Sequence, residues 1–177
     1  MSQSAPSFEE SDAGRLLLNA VQYFKMANLV TESEEFRQNW RVYGPPMLNT
    51  IAVGIELFLK FVHVHHGKTI KSVASTYGHN IEKLWNDCPE PTLHETVFSA
   101  AERAYSSASR TGIADPIGDV RPYFAEAIRD LSKRHNTNGS ELRYPAPKGA
   151  MVPRPGLFVQ TFYPVADACL RRPPFGA

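Results

Sequence analysis

The run from Met47 to His66 constrains this chain more than any other segment. Leu48, Ile51, Ile55, Phe58, Leu59, Phe61 and Val62 fall among further apolar residues, so almost every side of the segment is apolar. A helix of that kind is hidden only when other helices surround it, which makes it the expected centre of the fold. Gly67 stands where a C′ glycine closes a helix. No period-2 run competes elsewhere, so the fold class expected is all-α, a helical bundle.

The remaining elements follow from spacing and punctuation. Ser11-Asp12 offers an N-cap, and Leu16, Leu17, Ala20, Val21, Phe24 and Ala27 predict an amphipathic helix over 12–30. Residues 1–11 read as a loose polar tail, and 12–177 as one helical domain. Residues 32–43 are ambiguous, and Gly44-Pro45-Pro46 is expected to end whatever forms there. A linking turn after Gly67 leads to a helix over 79–87, stopped by Pro89 and Pro91. Helices over 92–109 and 119–135 follow, with Pro122 tolerated in a first turn. Seven of the fourteen prolines lie between Pro145 and Pro174, so a Pro-rich C-terminal arm is expected. In it, 136–154 reads as loop and 155–170 as a helix that Pro164 kinks or divides.

Charge narrows the function classes. Nineteen basic against eighteen acidic side chains leave a net charge of +1, far from the basic excess of a chain built mainly to grip nucleic acid. A local patch is still compatible with that balance. Cys88 and Cys169 lie outside any Cys-x-x-Cys pair, and the N-terminus lacks the pattern of a secretory signal. The stretch 51–64 is interrupted by Glu56, Lys60 and His63 and reads as too short for a bilayer. The expectation is a cytoplasmic chain with free thiols and no membrane partner.

Three constellations carry candidate chemistry. Glu56 and Lys60 stand at i, i+4 on the apolar helix, with Glu nearer the N-terminus, the favourable order. Inside a bundle each charge needs a partner, so they either fix the bundle or line a pocket. His79 and Asn80 sit near a helix N-terminus, where a capping role competes with a chemical one. Arg143 and Tyr144 lie in the Pro-rich loop, where Arg143 suits an inner carboxylate such as Glu56 or a phosphate. His63 and His66 share a helix face but make an incomplete two-ligand set, so no metal is assigned and no cofactor is implied.

Glu56-Leu-Phe-Leu-Lys60, then Gly78-His79-Asn80, then Arg143-Tyr144-Pro145, resembles a bacterial branch of the HEPN-like superfamily (higher-eukaryote and prokaryote nucleotide-binding domains) over residues 12 to 170. Asn80 stands where members of that branch more often carry Asp. The resemblance implies an antiparallel four-helix bundle with extra helices, pairing as a homodimer. It also implies RNA or nucleotide recognition, an antitoxin-like partner protein and, in catalytic members, metal-independent endoribonuclease activity. The string Arg129-Asp130-Leu-Ser-Lys-Arg-His135 matches the catalytic pattern. It implies His135 as general acid or base, Arg129 as charge stabiliser, and Lys133, Arg143 and Tyr144 as phosphate-contacting auxiliaries.

The residues leave rival readings open. Six positions on a continuous helix turn Arg129 and His135 about 120° apart, so they converge only if the helix unwinds at the Asn136-Gly139 stop or if two subunits each lend a residue. Asp130–Arg134 and Glu126–Arg129 form helix-surface ion pairs just as readily. One rival is a non-catalytic interaction module, with Glu56, Lys60, His79 and Arg143 as a buried network. Another is a small-molecule pocket walled by Trp85, Phe58 and Tyr144.

Overall fold

A computed structural model describes residues 7–112, 118–136, 142 and 154–171. The described residues form eight α-helices and no strand: α1 (Asp12–Thr31), α2 (Glu34–Gln38), α3 (Trp40–His65), α4 (Ile70–Tyr77), α5 (Ile81–Asn86), α6 (Leu93–Arg110), α7 (Val120–Asn136) and α8 (Pro155–Arg171). The all-α class is therefore the observed one.

The central helix is α3, which packs against α1, α4, α5, α7 and α8. Ile51, Ile55, Phe58, Leu59, Phe61 and Val62 are all fully buried. Its C-terminus is closed as the glycine predicts. Gly67, at φ +90, lets its own N–H reach the Val64 carbonyl and the Lys68 N–H reach that of His63, a paired Schellman closure. Close approach of α1 needs a second glycine. A Cβ at Gly54 would stand 2.8 Å from a Phe24 ring carbon.

Gly44-Pro45-Pro46 does not end a helix; α3 begins before it, at Trp40. Two prolines remove the hydrogen bonds to the Arg41 and Val42 carbonyls. Residues 41–43 are exposed, so water can satisfy those carbonyls, and Pro45 itself is buried against the core. This extension also overturns the length argument against a membrane helix. By length and composition α3 is long and apolar enough to cross a bilayer, but 67% of its most apolar window is buried inside the bundle.

Two further expectations change. The linking turn after Gly67 contains α4, started by Thr69, whose side chain accepts the Ser72 N–H. Its eight residues bury only Val73 and Tyr77, too short a pattern to stand out from the sequence. At the N-terminus, Phe8–Glu10 form a 3-10 turn, and Phe8 packs edge-on to Phe61 and His65. That part of the presumed tail is bound to the core.

The C-terminal helix is no appendage. α8 packs against α1, α3 and α6, burying Phe158, Phe162, Val165, Ala166 and Cys169. Phe162 meets Phe24 of α1, Phe58 of α3, Trp85 of α5 and Phe124 of α7, with ring centroids 6.0–6.4 Å away. Pro164 does not divide the helix. It and Gln160, whose carbonyl loses its partner, are both exposed. The rest of the predicted arm lies outside the described residues, apart from Asn136, which ends α7, Leu142 and Arg154.

Candidate functional site

The site is built round one carboxylate. Glu56 projects from the buried middle of α3, where its side chain keeps 8% of its exposure. Lys60, one turn on, donates to Oε1 at 2.6 Å. His79, in the turn between α4 and α5, donates from Nδ1 to Oε2 at 3.0 Å. His135, in the last turn of α7, donates from Nε2 to the same oxygen at 2.7 Å. Three separate stretches of chain thus converge on one acidic group.

Local structure explains the convergence. Gly78 takes φ +54 and turns the chain after α4, which places His79 just ahead of the next helix. Asn80 is the N-cap of α5, its side-chain oxygen accepting the Lys83 N–H at 2.9 Å. The Ser132 hydroxyl of α7 donates to that oxygen at 3.3 Å and accepts the Glu82 N–H at 2.9 Å. Ser132 ties the start of α5 to α7, and His135 follows three residues later on the same face. Asn80 therefore serves the turn that carries His79, while Glu56 takes the imidazole.

Electrostatics favour an ionised Glu56. Burial alone would push its carboxyl upward. Hydrogen bonds from His135 and Lys60, the Lys60 charge and the His79 bond outweigh that and hold it at about 2. The two rings differ sharply in access: the His79 side chain is 72% exposed and that of His135 only 8%. They meet edge to face, centroids 5.9 Å apart. His135 Nδ1 is buried and has no hydrogen-bond partner among the described residues.

Within one chain the Arg129–His135 pair is not assembled. α7 is continuous through both positions, so the helix turns them to different sides. Arg129 is more than half exposed and binds Glu82 and Glu126. Asp130 and Arg134 form the expected i, i+4 pair at 2.9 Å. Lys133 is exposed on α7. Arg143 and Tyr144 lie outside the described residues. Phe58 is fully buried and Trp85 nearly so, both within the aromatic core, and the third proposed wall of the pocket, Tyr144, lies outside the described residues.

His63 and His66 make contacts that tie the helix end to its neighbours. His63 is fully buried, donating from Nε2 to the Leu84 carbonyl and accepting at Nδ1 from Lys68, which also donates to the Tyr77 hydroxyl. Burial is the main influence that holds its pKa below the usual imidazole value. His66 donates from Nδ1 to the Val62 carbonyl and faces Glu90 through Nε2 at 3.4 Å. Both cysteines are free thiols, and burial pushes that of Cys169 up to about 11.

Placing His135 beside Glu56 was beyond sequence reasoning, since the two are 79 positions apart. The available signal was a histidine in the last turn of a helix that also carries a buried serine at i−3. Compared with known protein families, characterised proteins and solved structures, the chain finds no match.

Proposed function

We infer that this chain is a HEPN-like helical domain that recognises RNA or a nucleotide, acting through His79 rather than through an Arg129–His135 pair. One observation carries the reading. Of the groups gathered at Glu56, only His79 presents a mostly exposed ring, and the buried carboxylate fixes that ring at Nδ1. Its Nε2 edge is the one open to a ligand. Lys83, exposed on α5 four residues on, is the next cation along the chain, its Nζ donating to the Thr76 carbonyl at 3.3 Å. The antiparallel bundle, homodimer and antitoxin-like partner belong to this proposal as implications of the resemblance.

A second reading rests on the same contact. A carboxylate that holds Nδ1–H leaves Nε2 as a proton acceptor, the arrangement of a general base. In that case a ribonuclease would depend on His79.

Both are tested with His79→Ala, Arg129→Ala and wild-type protein, assayed in chelator for binding of fluorescent RNA and nucleotide and for cleavage. Recognition predicts binding weakened about 10-fold or more in His79→Ala, little change in Arg129→Ala, and no new RNA ends. Cleavage leaving 2′,3′-cyclic phosphate ends, lost in His79→Ala and kept in Arg129→Ala, would favour the second reading. Loss in Arg129→Ala with His79→Ala active would sink both.

A further inference from the structure

We propose that Glu56, His79 and His135 form a binding site for a divalent transition-metal ion, with Zn²⁺ as the matching probe. Oε2 of Glu56, Nδ1 of His79 and Nε2 of His135 lie within 4.8 Å of one another. Two of the three separations, 3.0 and 2.7 Å, are hydrogen-bond distances; ligands about 2.0–2.2 Å from a tetrahedral ion stand about 3.3–3.6 Å apart, so each pair must open by about 0.3–0.9 Å to admit the ion. Two imidazoles and one carboxylate are a donor set that suits zinc and its first-row neighbours.

The surroundings fit the same use. Lys60 holds Oε1 and leaves Oε2 as the coordinating atom, an outer-sphere contact that orients a ligating carboxylate. His135 directs Nε2 into the cluster, while its buried Nδ1 has no partner among the described residues, so a metal at Nε2 would leave an unbonded N–H there. The exposed flank at His79 is the entry path, and it leaves a fourth position for water or a phosphate oxygen.

Binding replaces hydrogen bonds with coordinate bonds. The hydrogens on His79 Nδ1 and His135 Nε2 must leave those atoms. A ring that starts neutral moves its proton to the other nitrogen, and one that starts charged releases a proton to solvent. No other reactant is needed. The inference does not rest on the nucleic-acid reading, and the test contains no RNA; a metal on Nδ1 of His79 would leave Nε2 protonated and so exclude the general-base reading.

The experiment titrates metal-free protein with Zn²⁺ by calorimetry and with Co²⁺ by visible absorption, using wild type, His79→Ala and His66→Ala. Circular dichroism checks that each variant is folded. Expected are one Zn²⁺ per chain, Co²⁺ bands of a four-coordinate site, and affinity lowered about 100-fold or more in His79→Ala, with His66→Ala unchanged. Histidine ring NMR of the wild type gives a readout that needs no variant: Zn²⁺ should shift the signals of His79 and His135 and leave those of His63 and His94. Absence of binding, equal binding by His79→Ala, or shifts confined to other histidines would overturn the proposal.

Discussion

Glu56→Gln should lower the free energy of unfolding at pH 7 by about 3–5 kcal/mol. The substitution keeps the shape of the side chain but removes the charge that Lys60 and His135 share in the interior. Lys60 keeps only 14% of its side-chain exposure, so its ammonium would be left buried without a counter-charge. Urea denaturation of the two proteins, with unchanged m-values, measures the difference. The wild type carries a matching acid signature. Its Glu56 carboxyl sits near 2 in the folded chain against an ordinary 4.5. A lowered folded value stabilises fully above the unfolded one. The stabilisation, on the order of 3 kcal/mol, is therefore lost as pH falls from about 4.5 towards 2. Glu56→Gln should lack that component of the pH profile. A variant within about 0.5 kcal/mol of wild type at pH 7 would show that the cluster contributes no net attraction.

Phe162→Ala is expected to cost a similar 3–5 kcal/mol for a different reason. The ring is fully buried and touches one aromatic side chain from each of four other helices. Its removal opens a cavity that α1, α3, α5 and α7 line together. Those helices are fixed by separate contacts, so the space will not collapse cheaply. Thermal unfolding followed at 222 nm reads the loss. If the transition barely moves, α8 is an accessory to the bundle and its deletion should be tolerated as well.

How much of this was legible depends on what carried the information. α1, α3, α6, α7 and α8 are written in apolar spacing that a single sequence displays, and their bounds lie within a residue or two of the expected ones, except at the start of α3. That start was hidden because proline is a reliable helix breaker only where the carbonyls it orphans are buried. At Arg41 and Val42 they are not. The site divides in the same way. Glu56–Lys60 is a spacing within one helix and could be read directly. Attaching His79, 23 positions on, came from a motif resemblance, and attaching His135 needed the packing of α7 on α5 through Ser132 and Asn80. Arg129 shows the reverse limit, since a matching string placed it in a pair that the helical turn keeps apart within one chain.

The distances in sequence between Glu56 and its partners also bear on how the chain reaches its native state. Lys60 is available as soon as α3 exists, but His135 arrives only after a loop of 79 positions has closed. The α1–α3 hairpin, with Gly54 against Phe24, asks for much shorter closures and can form first. Until α7 docks, Glu56 is an acid with a single cation beside it, on a partly uncovered apolar rod. The cluster is therefore a late contact. Strengthening it would slow the rate at which the finished domain opens, and would do little for the speed with which it forms.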